Sequence, residues 1–392
     1  MPTPDNHLIL AVAGSRKTQG IVDACANADP AERILILTYT TANQVELKSR
    51  LSTAAGDHHH IEVSGWFTFL IGHFVRPFLP FVYQGKRVRG FDFDSPPQTY
   101  IGAGEWSRYF NSRDQVRKVH LPQLACLVDE ASGGAAIRRL ERIYDRIYID
   151  EVQDLCGYDL EILTLLMAST LPIEMVGDIR QAILATNGRE RKNKKYMYMQ
   201  VWEWFRKEER AGRLRITQRC ETWRCRPEVA AFADSIFGSE WGFEATVSLN
   251  QRTTGHDGVF LVRSGDVNAY VDEFAPLTMR YSAGSAGQFD HLDPMNFGMA
   301  KGLGRERVLI CPTDKITKHL KTGTALDQGL AAHLYVSVTR AEQSVAFVID
   351  NPGACAYPYW TPEEAVGHPD ASGASREEDA KQTGSSSDPS PN

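Results

Sequence analysis

Cysteine is sparse and unpatterned in this chain: seven residues, an odd number, with no CxxC spacing. That argues against a disulfide framework, so reduced thiols and a cytoplasmic location are expected. Cys220 and Cys225 are the closest pair, but no second pair completes a zinc site, and they read as structural. Long apolar runs are missing as well. No stretch approaches the roughly 20 residues needed to span a bilayer, so no membrane partner is expected. The opening Met1–Asn6 is polar and lacks the basic start of a secretory signal. Repeats at solenoid spacing are absent. So is a large charge of one sign, since the net charge is only −6 over 392 residues.

That small total hides an uneven distribution. From Thr361 to Asn392 there are seven acids and two bases, a net of −5, which leaves about −1 for the body. Within the body, Arg180 to Arg226 holds fourteen Lys or Arg against five acids. Such a concentration fits a polyanionic partner, and equally a solvated basic face. The length exceeds one typical core, so two or more domains are expected. With 42% hydrophobic and 23% charged residues, the composition is that of a globular protein.

Short apolar runs alternate with helix-like segments. Leu8–Ala13, Ile34–Leu37, Ile61–Val63, Ile147–Ile149 and Ile173–Val176 read as buried strands, followed by a second set at Leu214–Ile216, Gly258–Val262, Val308–Cys311 and Ser344–Ile349. The pattern predicts an α/β protein of two parallel-sheet domains with a cleft between them. The boundaries expected are 1–205 and 206–355, with a small insert over 84–142, where periodicity weakens. A disordered acidic tail is expected over 356–392, poor in apolar residues from Thr361 onward.

Chemistry concentrates at strand ends, where ligands of open α/β sheets bind. The first strand runs into Gly14-Ser15-Arg16-Lys17-Thr18-Gln19 and then a helix. Strand, small-residue loop, Lys-Thr, helix suits a phosphate cradle, although the strict GxxxxGK[ST] spacing fails and a plain strand–turn–helix fits too. At the end of Ile147-Tyr148-Ile149 stand Asp150, Glu151, Gln153 and Asp154. Adjacent acids there suit a Mg²⁺ ligand beside a water-activating residue, while an isolated acidic pair reads as readily as a turn. Arg189 to Trp204 interleaves Lys192, Lys194 and Lys195 with Tyr196, Tyr198, Trp202 and Trp204, as a single-strand track requires. Trp202 and Phe205 lie at helical spacing and read as core. His58-His59-His60 has no fourth ligand in reach and reads as loop.

Seven segments in order resemble the UvrD/Rep-type superfamily 1 helicases. Ala13–Thr18 resembles the family's AGSGKT loop, Leu37–Asn43 its LTFTNxAA, Asp150–Asp154 its DExQD, and Gly177–Ile183 its GDxxQSI. Thr222–Glu228 looks like NYRSxPE, Lys301–Gly304 like KGLE, and Leu334–Ala341 like LYVAxTRA. The resemblance spans Leu8 to about Asp350. It implies two RecA-like P-loop NTPase domains, ATP and Mg²⁺ as cofactors, and single-stranded DNA as partner, with RNA possible, for a monomer moving 3′→5′. By resemblance, Ala13–Gln19 and Gly302 would bind ATP, Lys17 holding the β/γ-phosphates, and Thr18 and Asp150 the Mg²⁺. Glu151 would polarise water, Gln181 would sense the γ-phosphate, and Arg224 and Arg340 would be arginine fingers from the second domain. Thr38, Tyr39, Thr40, Trp66, Lys192, Lys194, Lys195 and Tyr196 are the candidates for nucleic-acid contact.

Three departures stand out. Arg16 replaces a glycine that permits close backbone approach, and Gly304 replaces an acid that contacts the ribose in the family. Between Arg224 and Lys301 the chain is too short for the family's large accessory domain. An ATP-gated single-strand sensor that clamps without unwinding is therefore the alternative expectation.

Overall fold

The computed structural model describes residues 5–362. Its first sheet is built from β1 (His7–Ala11), β2 (Ile34–Thr38), β3 (Ile61–Gly65), β4 (Arg146–Asp150), β5 (Ile173–Gly177) and β6 (Arg215–Arg219) in the order β3-β2-β4-β5-β1-β6. Every pair is parallel. Helices α1 (Lys17–Ala26), α2 (Thr41–Ala54), α3 (Leu121–Ala131), α4 (Asp159–Met167) and α5 (Val201–Arg210) cover it. The period-2 alternation of β4 shows why an unbroken apolar run is needed. Ile147 and Ile149 face a core with Trp66, Leu124 and Leu163. Tyr148 faces the opposite core, with Val22 and Leu47.

The second sheet contains β7 (Gly258–Val262), β8 (Leu277–Arg280), β9 (Met295–Asn296), β10 (Arg305–Cys311) and β11 (Ala341–Val348), ordered β7-β11-β10-β8-β9 and again all parallel. Helices α6 (Pro227–Ser235), α7 (Val267–Phe274) and α8 (Gln328–Val338) pack on it, as does Ile316 of the helix Asp314–Thr322. The expected α/β architecture with two RecA-like sheets is present. Among the described residues no helix is long and apolar enough to cross a membrane.

Three boundaries differ from expectation. The strand expected at Leu214–Ile216 is read as opening the second unit, yet β6 pairs with β1 along its whole length, His7 with Arg215 through Ala11 with Arg219. The first domain therefore runs to 219 rather than 205, because β1 would otherwise leave one side of its ladder unpaired. Within the expected insert, 84–120 carries a short parallel pair, Gly90–Asp92 and Gln115–Arg117, yet Tyr109, Phe110 and Val116 join the main core. Helix α3 instead buries Leu121, Leu124, Ala125 and Val128 in the main core. At the C-terminal end, 357–360 lies against β7: Leu261 N–H donates to Pro358 O at 2.8 Å and Trp360 N–H to Leu261 O at 2.9 Å. Aromatic side chains anchor it, Trp360 on Tyr270 at 5.1 Å and Tyr357 on Phe232 at 5.6 Å. The rest of the expected tail, 363–392, lies outside the described residues.

Candidate nucleotide cleft and nucleic-acid face

The candidate phosphate loop leaves the end of β1 and turns directly into α1, whose first turn carries no acid to compete for an anion at the helix N-terminus. Gly14 has φ +76°, and a Cβ there would come within 2.6 Å of both Arg224 Cβ and Thr222 Oγ1. The second domain is stitched to this loop. Thr222 Oγ1 donates to Ala13 O at 2.7 Å, Trp223 N–H to Gly14 O at 3.0 Å, and Ala13 N–H donates to the Tyr335 hydroxyl at 3.2 Å. Arg16 adopts φ +58°, the left-handed conformation the family's glycine would take freely. Its side chain turns outward, 4.1 Å from the centre of the Trp223 ring. The cationic chain thus stays clear of the loop interior.

Behind the loop, Thr18 Oγ1 donates to Asp150 Oδ2 at 3.0 Å, and Lys17 Nζ lies 3.8 Å from Glu151 Oε1. Lys301, from the loop before β10, inserts between Glu151 at 3.3 Å and Asp154 at 2.8 Å. Burial and the neighbouring Glu151 push Asp150 above the ordinary carboxylate range. Glu151 goes the other way: burial alone would raise it, but Lys17 and Lys301 outweigh that and keep it ionised. Gln153 bridges the acids to β5. Its amide donates to Glu151 while its Oε1 accepts from Asp178 N–H at 3.2 Å.

Across the cleft, Arg340 is buried, its Nε donating to Val336 O at 2.8 Å and Nη1 to Leu303 O at 3.0 Å, with Nη2 3.5 Å from Gln181 Oε1. Burial and then Arg224 pull its guanidinium down to about 10. Arg224 Nη1 donates to Thr339 O at 3.2 Å. Gln181 Nε2 donates to Asp178 Oδ2 at 2.7 Å. Gly14 to Gln19, Glu151, Gln181, Arg224, Lys301, Gly302 and Arg340 together line a cleft of about 840 Å³. Glu342 lines it too, its carboxylate 3.4 Å from where a Cβ on Gly304 would sit, so an acid occupies the space over that glycine. Thr18 and Asp150 are hard oxygen donors of the kind Mg²⁺ takes. The cluster of Lys17, Lys301, Arg224 and Arg340 fits a polyphosphate.

The candidates for nucleic-acid contact divide. Trp66 is a correction: it is 1% exposed and its Nε1 donates to Asp159 Oδ1 at 2.7 Å, so it is a core residue and cannot stack on a base. Thr38 is also buried. Thr40 caps α2, its Oγ1 accepting from Asn43 N–H at 3.1 Å. Tyr39 remains half-buried against Phe67, with Lys118 Nζ 5.8 Å and 5.2 Å from the two rings. Lys194 and Lys195 are exposed, Lys195 lies 4.8 Å over the half-buried Tyr196 ring, and Lys192 is 3.5 Å from Glu161. The two groups are joined, because Asn187 Nδ2 donates to Val119 O, next to Lys118, at 2.8 Å.

No family model and no curated protein matches this chain. Among solved structures, it is similar to arterivirus nonstructural protein 10 (helicase), with 13% identity and a TM-score of 0.43 over 88% of this chain and 59% of that one. The complex of the arterivirus protein with DNA gives the same identity, TM-score and coverage of this chain, and 61% of that chain. This chain thus spans less than two thirds of the length of those helicases.

Lys301 in the cleft, and Asp178, Arg180 and Tyr335 buried behind it, had no role assigned from sequence. Lys301, Asp178 and Arg180 stand inside quoted motifs, and a charged residue at a strand end is the signal that could have raised them. Tyr335 gave none, since in an apolar helix it reads as core.

Proposed function

We propose that this chain is a nucleic-acid-stimulated ATP hydrolase of the UvrD/Rep type that moves along single-stranded DNA, 3′→5′. The observation that carries this reading is one cleft that sets Lys17, Thr18, Asp150 and Glu151 opposite Arg224 and Arg340 from the other domain. Thr18 and Asp150 would hold Mg²⁺, which when bound neutralises charge on the phosphate oxygens. Lys17 would pair with the β/γ-phosphates. Glu151, kept ionised by two lysines, would orient the attacking water, and Gln181 would contact the γ-phosphate. Arg224 and Arg340 would offset charge that spreads over the transferred group, a contribution on the order of 10³-fold in turnover. Because these groups belong to different domains, turnover would be coupled to domain closure. Tyr39, Tyr196 and the exposed lysines supply stacking and phosphate pairing for a single strand.

The test is ATP hydrolysis by the full chain with single-stranded DNA, with single-stranded RNA and without polymer. Stimulation by DNA is expected, and Lys17→Ala should abolish turnover by removing the phosphate-pairing charge. A chain that hydrolyses no ATP, or a Lys17→Ala variant as active as the original, sinks the reading. A second reading, an ATP-gated single-strand clamp without unwinding, is favoured by the segment between Arg224 and Lys301. It forms α6, β7, α7, β8 and β9 of the second domain, with no room for a further domain. Processive strand separation on a forked duplex would exclude it.

A further inference from the structure

Arg180 has no part in the chemistry above, yet it is among the most constrained side chains in the molecule. It is 4% exposed, lies one residue before Gln181, and reaches from the first domain into the second. Its Nη1 donates to Asp234 Oδ1 on α6 at 2.9 Å, and its Nε sits 3.4 Å from Asp178 Oδ1. The guanidinium is also 4.8 Å from the Tyr335 ring and 5.3 Å from the Phe243 ring. Asp234 is fixed from its own side, accepting from Thr246 N–H at 2.6 Å and Thr246 Oγ1 at 2.8 Å.

Asp178 joins these contacts to the cleft. It has no exposure, and besides Arg180 it accepts from Gln181 Nε2 at 2.7 Å and from the Tyr335 hydroxyl at 3.2 Å. That hydroxyl also accepts the Ala13 N–H of the phosphate loop. One buried carboxylate therefore fixes Gln181, while two of its donors, Arg180 and Tyr335, are themselves held by the second domain. A buried guanidinium that loses its carboxylate partner is heavily penalised, so any rotation of α6 away from Arg180 must redistribute its bonds onto Asp178. Asp178 Oδ1 already accepts the Arg180 N–H at 3.2 Å and Oδ2 holds Gln181 and Tyr335, so a shift of the guanidinium disturbs the carboxylate that sets both.

We propose that Arg180 is a positioning residue that ties the placement of Gln181 to the second domain through Asp234. It makes the nucleotide cleft responsive to how the domains sit when a single strand is bound. This rests on the ATP-hydrolase reading of the same cleft.

The test compares the full chain with Asp234→Asn, Arg180→Met and Arg180→Lys, measuring ATP turnover and KM with and without a single-stranded DNA oligonucleotide. Asp234 is partly exposed and its Asn replacement keeps an acceptor for Thr246, so this variant reports even where Arg180→Met fails to fold. Unstimulated kcat and KM are expected to stay within about twofold, while stimulation by the oligonucleotide falls roughly tenfold, with partial recovery in Arg180→Lys. Undiminished stimulation in Asp234→Asn overturns the proposal, and so does an equal loss of stimulated and unstimulated turnover, which marks a merely structural bond. A wild-type chain without hydrolysis overturns the underlying reading and this inference with it. Stimulated wild type beside equally stimulated variants overturns this inference alone.

Discussion

At the scale of single residues, Gly14 and Arg16 show opposite answers to one demand of the phosphate loop. Both have positive φ and both meet the second domain, but only at Gly14 would a Cβ collide with it. Alanine there meets Arg224 Cβ and Thr222 Oγ1 at 2.6 Å and has to force segment 222–224 off the loop. Gly14→Ala is therefore expected to lower ATP turnover by roughly 100-fold, the usual consequence of a displacement near 1 Å at reacting groups. Steady-state hydrolysis checks this, and turnover close to wild type counts against the geometry. Arg16 tolerates its conformation because its side chain leaves the loop for Trp223. Sequence order set the loop and the acids at strand ends, where the fold has them, but could not give side-chain direction. For the same reason Trp66 was grouped with candidate stacking residues, when its indole N–H is committed to the buried Asp159. An aromatic after a strand can face the core or the solvent, and only the packed fold decides.

At the scale of elements, apolar runs were a sound guide to strands and a poor one to which sheet each would join. β6 reads as Arg-Ile-Thr-Gln-Arg, an alternating edge strand, and nothing local to it distinguishes the last strand of one sheet from the first of the next. The segment 357–360, Tyr-Pro-Tyr-Trp, was hidden differently: it is short and broken by proline, so it shows no strand period of its own. It helps close the aromatic cluster over β7, where His256 stacks between Phe260 at 4.0 Å and Phe274 at 4.1 Å, with Nε2 2.9 Å from the Tyr270 hydroxyl. Burial, then the nearby Arg307, pulls His256 down to about 4. The unfolded chain takes up this proton as pH falls through about 6.5, and the folded chain only near its lowered value. The stability His256 contributes is thus complete above about pH 6.5 and is lost progressively down to about pH 4. Urea midpoints at about pH 7 and about pH 4.5 should therefore fall further for wild type than for His256→Phe, which keeps the stack without the proton site. Equal drops in the two proteins would remove His256 as the cause.

At the scale of the whole molecule, the fourteen bases between Arg180 and Arg226 prove to be several populations rather than one surface. Arg180 is buried between the domains and Arg224 lines the cleft. Arg206 pairs with Glu203, and Arg213 with Glu208 at 2.6 Å. Lys207, Arg210 and Arg215 are exposed along α5 and β6, and the densest exposed group is the loop carrying Arg189, Arg191, Lys192, Lys194 and Lys195, with Glu190 inside it and Glu161 3.5 Å from Lys192. Charge counting along the sequence could find the region but not separate these roles, since pairing depends on which acids the fold brings near. A strand bound along this loop and Lys118, beside Tyr39, releases counterions there. For single strands the logarithm of affinity falls against the logarithm of salt with slope about −0.7 per phosphate neutralised, so five contacts give a slope near −3.5. Lys194→Ala with Lys195→Ala removes two of them and is expected to make the slope shallower by about 1.4, weakening binding most at low salt. Anisotropy titrations of a labelled DNA strand at several salt concentrations measure both quantities. An unchanged slope means that the strand runs elsewhere, and the loop is then only a solvated basic face.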